Sequence, residues 1–448
     1  MKIDVPDNVR LLVKRLNAAE CAAYPVGGCI RDSIIGRAPK DWDVATSALP
    51  NKIKNVFSDF TVLDTGIEHG TVTVLIDNCP YEVTTFRTDG DYSDNRRPDL
   101  VEFVRDIHED LSRRDFTINA LAYDCDTESI IDDFGGAGDI KRGLIRCVGD
   151  AYTRFSEDAL RILRALRFAS VLGFELDSKT AEAALSCREL LNNVSQERIF
   201  AEFKQLMCGG NVRYVLEEFR EILAVIIPEI KLMFDCPQRN PYHCYNVWGH
   251  TVHCVSAVVP QADIRTAALF HDIGKPAVHT VEHLSDGECV DHFYSHAKVS
   301  AEIAVNILTR MKSAKAFKQT VVTLVKYHDI NLDLDKKCVK RRLNKFGAEL
   351  LNKLIELKRG DTLGQSEFVR ASRLKRLDDF LALANTVIEE RECFSVKDLV
   401  INGRDLIALG YSGREIGIIL NKIVDEVINE RLSNRRTELL KFAEKYLK

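Results

Sequence analysis

The chain has no long apolar run, no Cys-x-x-Cys pair, no excess of positive charge, no internal repeat and no low-complexity stretch. Each absence removes a class of protein. Apolar residues make up 46% of the 448, but they are dispersed in short runs, so no helix of the ~20 apolar residues that span a bilayer is expected. The opening Met1-Lys2-Ile3-Asp4-Val5-Pro6 carries acid and proline where a secretory segment needs a basic and then an apolar stretch, and the cytoplasm is the expected location. The 13 cysteines are odd in number and scattered, which points to reduced, mostly buried thiols rather than a disulfide framework. Lys and Arg total 62 against 67 Asp and Glu, a formal charge of −5, so a polyanionic partner would have to be held by local patches. Two such patches are present. Lys141 to Phe168 holds seven basic residues against three acidic, and Lys336 to Lys345 holds six with none; the second is read equally well as a solvated helix face or as an RNA contact. The length itself calls for two to four packed units.

The most informative stretch is Gly27-Gly28-Cys29-Ile30-Arg31-Asp32 followed by Asp41-Trp42-Asp43. Residues two apart on a strand share a face, so Asp41 and Asp43 can present two carboxylates side by side while Trp42 and Val44 pack behind. Such a pair suits Mg²⁺, which takes oxygen ligands and shares them with substrate phosphates. Paired ions stabilise both the attacking and the leaving oxygen of an in-line displacement at phosphorus. Glycines at Gly27 and Gly28 let backbone N–H groups approach a triphosphate at a helix N-terminus, and Arg31 adds charge there. In combination these features point to nucleotidyl transfer, although a glycine turn or an Asp-x-Asp strand end alone is commonplace.

Alternation in Thr71–Ile76 and Tyr81–Phe86 around Asp77-Asn78-Cys79-Pro80 predicts a hairpin that completes a small mixed sheet, with Glu82 on a strand neighbouring the aspartates as a candidate third carboxylate. From about Tyr152 the apolar spacing becomes helical, through Leu160, Leu163, Leu166 and Phe168, and is expected to stay so. Another helix begins near Asn211, Cys236 to Pro241 is a loop before a histidine-rich region, and Asn402 or Asp405 is placed to cap a helix in the tail. On this reading Asp158 and Arg161 lie three apart on one helix and face the same way. Cytosine and adenine both offer an amino donor beside an unprotonated ring nitrogen, which a carboxylate and a guanidinium can meet together. Guanine and uracil would present two mismatches, each costing about 1–3 kcal/mol if buried. An intrahelical salt bridge is the plain alternative.

Read in order, Gly27 to Arg37, Asp41-Trp42-Asp43, Arg113-Arg114-Asp115-Phe116-Thr117-Ile118-Asn119-Ala120 and Glu157-Asp158-Ala159-Leu160-Arg161 resemble the successive signatures of the bacterial class II tRNA nucleotidyltransferases, a family that includes bacterial poly(A) polymerases. Ser195-Gln196-Glu197-Arg198-Ile199 is similar to its later helical motif. The resemblance is strong over about residues 1–210. It implies an α+β nucleotidyltransferase head at 1–145, a helical neck at 146–215 that selects nucleotides and meets RNA, an HD-type module at 216–365 and a helical tail at 366–448 that contacts tRNA. It implies addition of CCA to the tRNA 3′ end from CTP and ATP, with Asp41, Asp43 and Glu82 catalytic around Mg²⁺. The nucleotide would be bound by Gly27, Gly28, Arg31, Arg114, Asp115, Asn119, Asp158, Arg161, Arg164 and Arg167, with Asp158 and Arg161 selecting the base and Asp115 near the ribose and triphosphate. Arg161, Arg164 and Arg167 are open to either a triphosphate or an RNA path. The polar segment Arg87 to Pro98 corresponds to a flexible element that helps switch related enzymes from C to A addition, which favours complete CCA synthesis. Poly(A), CC-only or A-only addition uses the same chemistry, although the lack of a long basic tail counts against processive polyadenylation.

The helical region also carries His250, His271-Asp272 within His271-Asp272-Ile273-Gly274-Lys275, His296, His328 and Asp361, which resembles an HD-type metal phosphohydrolase. Imidazoles and carboxylates on packed helices bind transition metals or Mg²⁺, and an adjacent His-Asp pair can serve one ion or bridge two. A divalent ion there would activate water toward a phosphoester; its identity and its substrate are open. A phosphohydrolase or RNA-binding protein with an inactive transferase head is the alternative class, against which the intact Asp41 and Asp43 stand.

Overall fold

The computed structural model describes residues 2–67, 70–90, 101–285 and 288–446, folded as two compact units, Met1–Pro228 and Glu229–Lys448. In the first, β1 (Ala23–Val26), β2 (Asp43–Thr46), β3 (Thr61–Gly66), β4 (Thr71–Ile76) and β5 (Cys79–Thr85) build most of a seven-stranded sheet. β6 (Arg87–Asp89) and β7 (Val101–Phe103) pair separately, while β8 (Ala122–Asp124) and β9 (Ser129–Ile131) complete the sheet in the order β3-β4-β5-β2-β1-β8-β9. The expected hairpin is present with a tighter turn than the sequence suggested: Asp77 and Asn78, at φ 52° and 62°, form a two-residue reversal, and Cys79 and Pro80 already pair with Ile76 and Leu75. Left-handed residues at both positions match the twist of the strands they join.

Every pairing in this sheet is antiparallel except β2 with β5, where Val44 stands opposite Val83. That parallel register puts Asp43 beside Glu82, one position earlier on each strand. Helices α1 (Asp7–Ala18), α2 (Gly28–Ile35), α3 (Pro50–Val56), α4 (Ile107–Ser112) and α5 (Gly136–Arg142) accompany the sheet, and Val26, Ala45, Phe86, Leu111 and Ala122 share a buried cluster. Helices follow, α6 (Ala151–Glu157), α7 (Leu160–Leu172), α8 (Ser178–Ser186), α9 (Gln196–Met207), α10 (Val212–Glu218) and α11 (Arg220–Ile226). The run from Tyr152 is therefore not one helix, because it breaks at Asp158, whose backbone is extended (φ −136°, ψ 102°). A short parallel pair, β10 (Leu144–Ile145) with β11 (Glu175–Leu176), also interrupts the helical stretch.

The second unit contains α12 (Val247–Ala257), α13 (Ala262–Phe270), α14 (His296–Arg310), α15 (Lys315–Tyr327), α16 (Lys336–Leu363), α17 (Glu367–Glu389), α18 (Gly403–Ala408), α19 (Arg414–Ile428) and α20 (Arg436–Glu444). It too departs from an all-helical expectation, with the hairpin β12 (Thr280–His283) and β13 (Cys289–His292). Asn402 and Asp405 both cap α18: the Asn402 side chain accepts from Arg404 N, and Asp405 accepts from Asn402 N, at 2.8 Å each. None of the 13 cysteines is disulfide-bonded, but only six are buried, fewer than the sequence reading expected. In the Lys336 to Lys345 patch, Lys336 and Lys340 pair with Glu392, Lys337 with Glu430, and Arg341 donates to Asn429. Much of its charge is thus already met within the fold. No helix among the described residues is long and apolar enough to cross a membrane.

Candidate active site

A cavity of about 810 Å³ opens in the first unit, and the sequence-selected residues converge on it. Gly27, Gly28, Arg31, Asp41, Asp43, Glu82, Arg114, Asp115, Asn119, Asp158, Arg161, Arg164 and Arg167 all line it. Gly27 caps α2 at φ 77°, and a Cβ there would come within 2.8 Å of Arg114 Nη1. The left-handed backbone of the turn is what favours glycine there, since the Arg114 tip is flexible and can move aside. Asp41 lies just before β2 rather than in it, so the two aspartates share the cavity without sharing a strand. Although Asp43 stays open to solvent from the cavity, desolvation by the surrounding walls and then the charge of Glu82 push its carboxyl up, Arg114 opposing and Asp41 adding a smaller push. Asp41, Asp43 and Glu82 together are an oxygen donor set that suits a divalent cation.

Opposite them stands a field of arginines held by hydrogen bonds. Arg31 donates to Asn119 Oδ1 at 2.6 Å, and Asn119 Nδ2 donates to Asp115 Oδ1 at 3.1 Å. Asp115 accepts from Arg164 Nη2 and Nε at 2.6 and 2.9 Å. Burial would raise its pKa, but Arg164, Asn119 and Arg161 outweigh that and lower it to about 2. Arg31, Arg164 and Arg167 gather around the Phe168 ring, at 5.1, 5.6 and 4.0 Å from its centroid, each contact of the cation–π kind.

Asp158 and Arg161 reach this cavity by a different route from the one their spacing suggested. Asp158 sits in the break between α6 and α7, and Arg161 lies in the first turn of α7, so they do not share a helix. Nor do they pair. Asp158 Oδ1 accepts from Leu160 N at 3.1 Å, and Oδ2 accepts from Arg198 Nη2 at 2.8 Å. Arg161 pairs with Glu157 and donates to the Arg154 carbonyl at 3.1 Å. The intrahelical salt bridge considered as the plain alternative is absent, and both side chains line the cavity instead. Sequence reasoning gave no role to Arg87, Arg113, Phe168 or Arg198, which also line it; Arg198 lay in a recognised motif, while Phe168 looked like one more residue of an apolar stripe. Eight arginines against five carboxylates border the cavity, an excess suited to a polyanion such as a triphosphate. Of the segment Arg87 to Pro98, the stretch 91–98 lies outside the described residues.

In the second unit the six histidine and aspartate residues also meet. His250, His271 and Asp361 form one group and Asp272, His296 and His328 another, each with candidate ligand atoms within 4.8 Å of one another. Asp272 spans both, 3.2 Å from His271 Nε2 through Oδ2 and 3.4 Å from His296 Nε2 through Oδ1. The Nδ1 atoms of His250, His271, His296 and His328 face the carbonyls of Gly364, Ala268, Phe293 and Val325 at 2.7–3.1 Å. A carbonyl only accepts, so each Nδ1 carries a proton, and in the neutral imidazole it is Nε2 that holds the lone pair. Those lone pairs converge, with Nε2 atoms 3.2 Å apart for His250 and His271 and 3.1 Å for His296 and His328. This is the arrangement of imidazoles that ligate metal. A Cβ at Gly364 would lie 2.8 Å from His250 Nδ1, so glycine is what lets that carbonyl reach the ring. Sequence reading missed Lys275, whose Nζ is 2.7 Å from Asp272 Oδ2, and His243, edge-on to His250 at 5.0 Å.

The sheet, its glycine turn and its carboxylate-and-arginine cavity define a nucleotidyltransferase head. Residues 23–146 match the model of the poly(A) polymerase head domain, 173–233 that of a probable RNA- and SrmB-binding site of polymerase A, and 285–443 that of a putative tRNA nucleotidyltransferase domain 2. The chain is 33% identical to the CCA-adding enzyme of Ligilactobacillus salivarius, across 99% of this chain and 98% of that one. It is 49% identical to the Lactobacillus delbrueckii CCA-adding enzyme, with the match spanning 50% of this chain and 54% of that relative. The solved Bacillus stearothermophilus CCA-adding enzyme in complex with CTP superposes with a TM-score of 0.68 at 27% identity, covering 99% and 98% of the two chains. The chain belongs to the CCA-adding enzyme family.

Proposed function

We propose that this protein adds CCA, nucleotide by nucleotide, to the 3′ end of tRNA in the cytoplasm, without a nucleic-acid template. The supporting observation is one cavity that combines Asp41, Asp43 and Glu82 with an arginine field and with Asp158 and Arg161. The solved relative named above was captured with CTP, and a more distant CCA-adding enzyme from Thermotoga maritima with tRNA. Asp41, Asp43 and Glu82 would hold Mg²⁺, which supplies Lewis-acid stabilisation of the phosphoryl charge when bound. In the reaction the tRNA 3′-hydroxyl gives up its proton to solvent as its oxygen bonds to the α-phosphorus of CTP or ATP, the bond from that phosphorus to the bridging oxygen breaks, and pyrophosphate leaves with that bond's electron pair. Arginines fixed beforehand by Asp115, Asn119 and Glu202 meet the triphosphate without reorganising, and that is where preorganised charge acts most strongly. Asp158 accepts from the base amino group and Arg161 donates to the ring nitrogen, so cytosine and adenine fit while uracil and guanine do not. The four-part division at 145, 215 and 365 is part of the same reading. Purified protein given tRNAs ending before CCA, after C and after CC, with each NTP in turn, tests it. Stepwise C, C and A incorporation is expected, and long A tails or arrest after CC would assign a sister specificity.

The converging Nε2 lone pairs favour a second activity as well. His250, His271 and Asp361, with Asp272, His296 and His328, would hold one or two divalent ions, which activate water for phosphoester hydrolysis. Metal content measured on the purified chain tests this.

A further inference from the structure

Two consecutive residues at the end of α16 hold two of the candidate metal ligands. Asp361 lies in the last turn of that helix and Gly364 caps it. The Gly364 carbonyl faces His250 Nδ1 at 3.1 Å, and Gln365 Nε2 donates to Asp361 Oδ1, also at 3.1 Å. Asp361 is the ligand that most needs such a hold. Its side chain is 21% exposed, against 3% or less for His250, His271 and Asp272. Among the described residues, Gln365 is the one group outside the candidate ligands that hydrogen-bonds its carboxylate. An amide presents either an oxygen or an NH₂ group to a neighbour, depending on which way it is turned. Here the direction is decided from outside. Arg373, on α17, donates to Oε1 of the buried Gln365; a guanidinium only donates, so it keeps the oxygen on its own side and leaves the NH₂ group facing Asp361. Arg373 in turn lies over the Tyr242 ring, 5.2 Å from its centroid, and Arg370 Nε holds the Gln365 carbonyl at 2.8 Å.

We propose that Gln365 is a positioning residue of the metal centre, and that Arg373 acts through it by setting the direction of its amide. This rests on reading the centre as a metal site. Neither residue is a ligand; each acts through the side chain it holds. A carboxylate already aimed does not have to be ordered when the ion binds, and partners that orient ligands in this way are worth about 10- to 100-fold in metal affinity. The two residues form one chain of action, so their losses do not multiply. Once Gln365 is gone, Arg373 has nothing left to direct.

The test is the Zn²⁺ affinity of the full chain, measured by competition with a chromophoric chelator. Binding that disappears in His271→Ala combined with Asp272→Ala is assigned to this centre. Gln365→Leu is expected to weaken that binding by about tenfold or more. Arg373→Leu is expected to weaken it by about threefold, and Arg373→Lys to recover part of the loss. Gln365→Leu combined with Arg373→Leu is expected to stay within about twofold of Gln365→Leu alone. Thermal denaturation confirms that each variant is folded, and Gln365→Met replaces Gln365→Leu if that one is not. Wild-type affinity in the Gln365 variant, or losses that multiply in the double variant, would overturn the proposal. A wild type that binds no Zn²⁺ at this centre would instead overturn the underlying reading.

Discussion

The two sites of this chain solve opposite problems. The cavity of the first unit leaves Asp41, Asp43 and Glu82 exposed and surrounds an 810 Å³ opening with guanidinium groups. The centre of the second unit holds His250, His271, Asp272 and His328 at 3% exposure or less, and lets only Asp361 and His296 reach the surface in part. An open, charge-lined site can accept a series of changing polymer ends, because positive charge follows phosphate wherever the rest of the substrate goes. A closed site with four rings locked by backbone carbonyls cannot adapt in that way, but it fixes ligand direction, on which tight metal binding depends. The first is organised by fields and the second by lone pairs. Substitutions should accordingly act through charge in one and through coordination in the other.

The sharpest test of the contrast removes one carboxylate from the first site and an adjacent His-Asp pair from the second. Asp43→Ala is expected to reduce nucleotide incorporation by about a thousandfold or more while tRNA binding, measured by filter retention, stays within a few-fold. His271→Ala combined with Asp272→Ala should strip the second unit of bound metal, read by elemental analysis, and leave incorporation at the wild-type level. Near-normal incorporation by Asp43→Ala would remove the proposed ion site, and parallel losses from both changes would show that the sites are not separable.

A smaller effect is expected at the base-selecting pair. Asp158→Ala removes the acceptor for the base amino group, and one unpaired group of that kind costs about 1–3 kcal/mol when desolvated. Discrimination between CTP and UTP should fall by about 10- to 100-fold, more than the KM for CTP rises. Arg161→Ala is expected to do the same for ATP over GTP. Unchanged preference among the four nucleotides would end the assignment of a protein template.

What could be read from the sequence follows the same divide between local and non-local signals. Asp43 beside Glu82 was legible because strand alternation and one hairpin fix both positions within a short stretch. The histidine centre was legible as a set, since its residue types are rarely assembled by packing alone. The break at Asp158 was not, because the apolar spacing runs through it unchanged, and one of the two partners of its carboxylate there, Arg198, lies 40 residues along the chain, the other being Leu160 N. Phe168 was hidden for a related reason: an aromatic ring that gathers three arginines looks, in sequence, like the end of a buried stripe. The charge at Lys336 to Lys345 was ambiguous until the partners Glu392 and Glu430, far along the chain, were brought against it.

The smallest expected effect concerns how the open site keeps its charges ordered. Asp115 is buried, which by itself would favour its neutral form, yet the Arg164 guanidinium, with Asn119 and Arg161, holds its pKa down to about 2. An unfolded aspartate titrates near 3.9, so between about 4 and 2 the unfolded chain binds the proton first. Stability from this group is therefore complete above about pH 4 and is lost as the pH falls toward 2. The shift of nearly two units corresponds to about 2–3 kcal/mol. Asp115→Asn should destabilise the protein by an amount of that order at pH 7, by chemical denaturation, and the gap between variant and wild type should narrow as the pH is lowered through that window. Because the group is ionised in both states above pH 5, the gap should stay flat from there to neutrality. A gap that widened in acid would mean that the Asp115 and Arg164 pair opposes folding, and the arginine field would then need another source of order.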